Sequence, residues 1–361
     1  MSILDPTIKG AYLRHHRISG KFSDQSTCED VENGYQCQPE ISHYWGQYSP
    51  YFSIPSEISA DVPTGCEVTF VQLLSRHGAR DPTVFKTISY DNTIRQIHKN
   101  VRSFAGKYAF LQDYVYNLGA DQLTTFGEQE MVNSGIKFYN RYQSLSEQHS
   151  PFFRSSGQTR VVESAQNFTQ GYHQAWLADP NTAAPDVFPY PITVISESDG
   201  SNNTLSHGLC TDFEDGTDSS IGNDAQAKWV AIFAPPITAR LNENLPGANL
   251  SVAQTIYMMD LCPFNTVASD IGAISPFCSL FSALEWHQYD YYQSLGKYYG
   301  FGNGNPLGPT QGVGFTNELI ARMTGKPVTD HTSVNHTLDG SNTTFPLGEG
   351  HVLYADFSHD K

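Results

Sequence analysis

The clearest period in the chain lies after Ser155. Val161, Ala165, Phe168, Tyr172 and Ala175 recur at steps of four and three, which places one apolar stripe along a helix of about five turns. Shorter β-branched runs alternate with such segments. Glu67–Leu74, Phe152–Ser155, Ile192–Ile195 and His351–Phe357 read as strands. Helical spacing marks Ala225–Asn244, Ser251–Leu261, Phe277–Tyr299 and Thr316–Thr324. Thr125 followed by Glu128 predicts a capping box opening a helix to about Leu145, while Gly300–Gly314 reads as a Gly/Pro loop. Strands separated by helices predict an α/β domain with a central mixed sheet flanked by helices, plus a smaller all-helical subdomain. The expected division is an extended N-terminal arm over 1–40, an α/β domain drawn from 41–90, 150–215 and 300–361, and a helical subdomain from 91–149 and 216–299.

Charge then narrows the partners. The 361 residues hold 21 Lys and Arg against 37 Asp and Glu, a net charge of −16, so no basic footprint exists for nucleic acid. Full protonation of the 13 His would bring −16 + 13 = −3, so low pH would spare an anionic substrate much repulsion. With 39% hydrophobic residues the chain can bury a sizeable core, yet no apolar run reaches the ~18 residues of a membrane helix. Asn167, Asn202, Asn249, Asn335 and Asn342 each open a sequon, which fits a glycosylated, secreted protein. Residues 1–20 lack the apolar core of a signal peptide, so the leader is expected to be missing from this chain. The six cysteines lack C-x-x-C spacing, which argues against a metal site.

One segment carries chemistry. Arg76-His77-Gly78-Ala79-Arg80-Asp81-Pro82 puts two guanidinium groups around an imidazole at the end of a predicted strand. Arginine forks match phosphate oxygens and stay charged, and a neutral imidazole can attack phosphorus. The pattern R-H-G-x-R-x-P arises by chance about once in 10⁴ chains of this length, at roughly 5% per residue type. The plain alternative is a surface loop whose arginines pair with nearby carboxylates.

This heptad resembles the signature of the histidine acid phosphatases. Trp45-Gly-Gln-Tyr48, Gly106–Leu111, Thr125–Glu130, Asn133–Tyr139 and Gly304–Gly312 extend the resemblance to the fungal phytases of that family, over nearly all of Cys28–Asp360. The resemblance implies His77 as the phosphorylated nucleophile, Arg76 and Arg80 as phosphate ligands, and Arg154 as the third phosphate-binding arginine. It implies His359 as a further ligand and Asp360 as the proton donor, with Gln47, Tyr48, Thr83 and Lys297 touching substrate. For Arg154 the alternative is a capping or salt-bridge residue, and for Lys297 a solvated lysine at a helix end. Phytate is the favoured small-molecule substrate, and broad phosphomonoester hydrolysis is the alternative, because Gly296 stands where a second lysine would add a cation. Neither cofactor nor metal is expected, and the protein is expected to be a monomer.

The resemblance also implies disulfides Cys28–Cys37 and Cys262–Cys278. The partners it implies for Cys66 and Cys210 lie beyond Lys361, so these two are expected as free thiols in a fragment or incomplete gene product. Two competing readings are a catalytically dead glycoprotein that binds phosphorylated ligands, and a phosphotransferase of the phosphoglycerate mutase type.

Overall fold

A computed structural model describes residues 31, 35–206, 208, 210–269, 273–348 and 350–360. Most of the expected N-terminal arm, and the Cys28–Cys37 pairing, lie outside the described residues.

Four strands form one sheet: β1 (Val71–Arg76), β2 (Phe152–Ser156), β3 (Ile192–Ile195) and β4 (Leu353–Ser358). Their order is β1-β4-β2-β3, and every pairing among them is parallel, so the sheet is not the expected mixed one among the described residues. Parallel pairing follows from the connections, because each strand is separated from the next by helices that return the chain to the same end of the sheet. β4 is buried along its whole length, as befits a central strand covered on both faces.

Among the described residues there are seven longer helices: α1 (Val84–Asn100), α2 (Thr125–Arg141), α3 (Thr159–Ala178), α4 (Ile221–Asn244), α5 (Val252–Val267), α6 (Ala283–Gly300) and α7 (Val313–Thr324). Two cores result. Met131, Phe138, Tyr139, Val161, Phe168 and Tyr172 pack with Phe153, Leu353 and Phe357 against the sheet. Trp45, Tyr90, Ile94, Leu241, Met259, Trp286 and Tyr289 join α1, α4, α5 and α6 in the other. The apolar stripe read on α3 therefore faces the sheet. Helix α2, assigned from sequence to the helical subdomain, packs instead on α3 and the sheet core, because its own apolar face is Met131, Phe138 and Tyr139.

Local chemistry shifted several boundaries. The cap of α2 is Thr124, not Thr125: its hydroxyl accepts the Gly127 N–H at 3.1 Å. The single helix expected over Phe277–Tyr299 is broken. A 3₁₀ turn spans Pro276–Leu280, and Ser282 restarts the chain with a capping box closed by Glu285. β1 begins later than expected and runs on through Arg76, which puts His77 just past the strand's carboxyl end.

Candidate active site

The sheet order brings together segments far apart in the chain. β1 and β4 are neighbours with Arg76 opposite Ser358, and the His77 N–H donates to the Ser358 carbonyl at 3.0 Å. The next residues on the two strands, His77 and His359, face each other with ring centroids 5.8 Å apart. β2 leads into α3 and so supplies Arg160, and β3 leads to Glu197. All of these groups sit at the carboxyl ends of the strands, where open α/β sheets bind ligands.

His77 is 5% exposed. Its Nδ1 lies 2.8 Å from the Gly78 carbonyl, which can only accept, so Nδ1 carries the proton and Nε2 keeps its lone pair. Burial, then the charges of Arg76, Arg80 and Arg160, lower its pKa to about 3 against the raising effect of the Gly78 bond. The ring is therefore neutral in mildly acidic solution and able to act as a nucleophile.

Three arginines surround it. The Arg76 guanidinium donates to the Gln47 carbonyl at 2.7 Å, and that of Arg80 to the Asp81 carbonyl at 2.7 Å. Burial, followed by the Arg80 charge, presses Arg76 below its ordinary pKa, while Asp360 opposes the shift. Arg160, in the first turn of α3, is likewise lowered by burial and by Arg80 and Arg76. The Nε atoms of Arg76, Arg80 and Arg160 are buried without a hydrogen-bond acceptor among the described residues. Mutually repelling, underused donors around a bare imidazole nitrogen define a site for an oxyanion.

Arg154 is not part of this group. It lies in the middle of β2, with Nε 2.9 Å from Asp356 Oδ1 and a terminal nitrogen 2.6 Å from Glu318 Oε2. Arg322 adds a second cation 2.6 Å from Asp356 Oδ2. This buried network, neutral as a whole, fastens α7 to β2 and β4. The implied phosphate role therefore fails for Arg154, and the salt-bridge alternative holds. Arg160 stands in its place beside His77.

The remaining expected residues divide. Gln47 and Tyr48 line a cavity of about 640 Å³ that also takes in Arg76, His77 and Arg80. Thr83 is the N-cap residue of α1 and makes no side-chain cap bond. Lys297 is no solvated helix end: its Nζ binds Asp360 through the backbone oxygen at 3.0 Å and through Oδ2 at 2.5 Å. Arg76 Nε approaches the other carboxylate oxygen of Asp360 at 3.5 Å. Burial raises the Asp360 pKa, but Arg76 and Lys297 together outweigh it and hold the group below the usual carboxylate range.

Several contributors escaped the sequence reading. Glu197 accepts from the Gln158 N–H and pairs with His359 Nε2, both at 3.0 Å, and so ties the start of α3 to His359. Lys86 reaches Tyr48 at 3.1 Å and the buried Asp260 at 2.8 Å, and Tyr90 and Tyr289 also hydrogen-bond Asp260. Glycine is required where the loop meets α2. A Cβ on Gly78 would lie 2.3 Å from the Gly127 carbonyl oxygen, and one on Gly127 would lie 2.0 Å from that of Ala79.

Residues 67–361 match the histidine phosphatase superfamily, branch 2, and the chain belongs to that family. It is 53% identical over 340 residues to Phytase A of Aspergillus oryzae, covering 93% of this chain and 72% of that protein. Phytase A of Aspergillus fumigatus is 51% identical over 362 residues, 98% of this chain and 76% of the relative. The fold matches the crystal structure of the phytase from D. castellii with a TM-score of 0.66 at 22% identity, over 89% of this chain and 66% of that one.

Proposed function

We propose that the protein is a phosphomonoester hydrolase that acts on inositol phosphates, phytate foremost, through a phosphohistidine on His77. The observation that carries this reading is the neutral, buried His77 with Nδ1 engaged and Nε2 bare, ringed by Arg76, Arg80 and Arg160. Names of relatives at about half identity support the substrate class.

The chemistry runs in two steps. The His77 Nε2 lone pair attacks phosphorus as the ester P–O bond breaks, and the guanidinium groups take up charge on the phosphoryl oxygens. An inositol alkoxide leaves poorly, so a proton must reach it from Asp360. Asp360 is ionised in the free protein, held so by Arg76 and Lys297. Phosphate bound at Arg76 competes for that cation, and a phosphomonoester monoanion, whose second pKa is about 6, brings the proton that Asp360 then passes on. Water next attacks the phosphohistidine, giving its proton to Asp360 and freeing inorganic phosphate. His359, held through Nε2 by Glu197, stands beside His77 and in its imidazolium form has the Nδ1–H left to donate to the phosphoryl group. Secretion is supported by the five sequons, of which Asn249 and Asn342 are exposed.

The test is hydrolysis of phytate and p-nitrophenyl phosphate at pH 5 by the parent and by His77→Ala. Activity on both that disappears with the substitution supports the reading. Phosphate binding without turnover in the parent would refute it in favour of a binding glycoprotein, and turnover of p-nitrophenyl phosphate alone would refute the inositol phosphate assignment.

A further inference from the structure

The Ala79 peptide is held at both ends by α2. Its carbonyl accepts the Thr124 N–H at 3.0 Å, and its N–H donates to Glu130 Oε2 at 2.8 Å. Ala79 stands between His77 and Arg80, so these two bonds fix the turn that aims both side chains. The close contact of Gly78 with Gly127 leaves the loop no room to shift toward α2.

Glu130 also has a singular place in the cavity. From β1 and its loop, Arg76, His77 and Arg80 face that space; α2 adds Lys137 and Arg141, the segment before β1 adds Tyr48 and Tyr51, and α5 contributes only Pro263, Phe264 and Val267. Among the described lining residues Glu130 is the one carboxyl group. No step of the mechanism above uses it.

We propose that Glu130 is a positioning residue that fixes the phosphate loop through the Ala79 peptide and, when ionised, weakens anion binding at His77. Either protonation state has an oxygen to accept the Ala79 N–H, so the loop keeps its shape in both. The charge differs: an ionised Glu130 offsets Arg76, whose guanidinium lies close enough for the two to shift each other's pKa. Burial pushes Glu130 up to about 7, against the lowering effects of the Ala79 bond and Arg76. The group is then neutral in acid, where phosphate binding is undisturbed, and becomes an anion near neutrality. The inference rests on the phosphate-site reading.

The test is competitive inhibition by inorganic phosphate from pH 5 to 8, with p-nitrophenyl phosphate as substrate, for the parent, Glu130→Gln and Glu130→Ala. Phosphate's own ionisation is common to all three and cancels in ratios. The ratio of the parent's inhibition constant to that of Glu130→Gln should rise about tenfold across the range, the effect of one charge at short range in a partly shielded site. Glu130→Ala, which leaves the Ala79 N–H without its acceptor, should bind phosphate about tenfold more weakly than Glu130→Gln at every pH. A ratio flat with pH overturns the electrostatic role, and equal constants for the Ala and Gln variants overturn the positioning role. If Glu130→Ala does not fold, the parent-to-Gln ratio decides alone. If phosphate does not inhibit an active parent, the site reading falls and this inference with it.

Discussion

Arg154 and Arg160 lie six positions apart, and substituting them should separate stability from activity. Arg154 has 3% of its side chain exposed and neutralises Asp356 and Glu318, which are no more exposed. Arg154→Ala leaves a network of two carboxylates facing Arg322 alone, and breaking a buried pair in this way costs about 3–5 kcal/mol. For a domain of this size that lowers the melting midpoint by on the order of 10 °C. Arg160 differs in every respect. Its one ion pair among the described residues, with Asp121, is long at 3.6 Å with an exposed carboxylate, and its neighbours Arg80 and Arg76 repel it. Arg160→Ala should therefore leave the midpoint unchanged or raise it slightly. It removes charge-assisted hydrogen bonds to the phosphoryl group, worth about 1.5–3 kcal/mol each, so kcat/KM should fall by a factor of about 10–10³. The assay pairs thermal melting followed by circular dichroism with p-nitrophenyl phosphate kinetics at pH 5. A stable but inactive Arg154→Ala, together with an active Arg160→Ala, would refute the assignment.

Three further outcomes follow from the same geometry. The folded pKa of His77, about 3, lies below its unfolded value, so between about pH 6.5 and 3 the unfolded chain binds a proton that the folded one refuses. Stability is then lost as pH falls, by about 2 kcal/mol from pH 7 to 5, and urea titrations of His77→Asn should show that much less acid sensitivity than the parent. Lys297→Met should lower kcat/KM about tenfold on phytate but no more than about threefold on p-nitrophenyl phosphate, whose leaving group needs little help from Asp360; equal losses would argue against a positioning role for Lys297. The Cys262–Cys278 bridge spans 16 positions between buried residues, so Cys262→Ala with Cys278→Ala should cost about 3 kcal/mol, seen as a lower melting midpoint, whereas alkylating the exposed Cys66 should not change it.

Much of the site was legible because its chemistry is local. The Arg76–Pro82 heptad carries the proposed nucleophile, two cations and the obligatory Gly78 in one short stretch of chain, and parallel sheet topology delivers His359 and Asp360 to it from the neighbouring strand. Arg154 misled because the resemblance was laid on the wrong arginine of the segment, six positions short of Arg160. In β2, paired on both sides by β3 and β4, a central arginine can only be buried, and burial demands the carboxylates that Asp356 and Glu318 supply. Those partners are 202 and 164 positions away, and no local pattern announces them. Arg160 did leave a signal. A cation in the first turn of a helix opposes the helix dipole, and Arg160 lies outside the Val161–Ala165–Phe168 stripe, so packing does not require it. An unfavourable charge that the core does not need points to an anion brought from elsewhere. Glu130 left none, since a glutamate on a helix is ordinary until the Ala79 loop is laid against it.

The same comparison of costs explains why so acidic a chain can serve an anionic substrate. Among the described residues, the cations at the strand ends are either underused, as the Nε atoms of Arg76, Arg80 and Arg160 are, or held by the carboxylate proposed to carry the proton, as Lys297 is by Asp360. Long-range repulsion from the net charge of −16 acts across solvent and fades over about 8–10 Å at physiological salt. The guanidinium groups act at contact distance in a site where His77 is nearly excluded from water, and there the short-range term dominates. Raising salt should thus speed encounter with a polyanion by screening the acidic surface, while changing little of what happens once phosphate reaches His77.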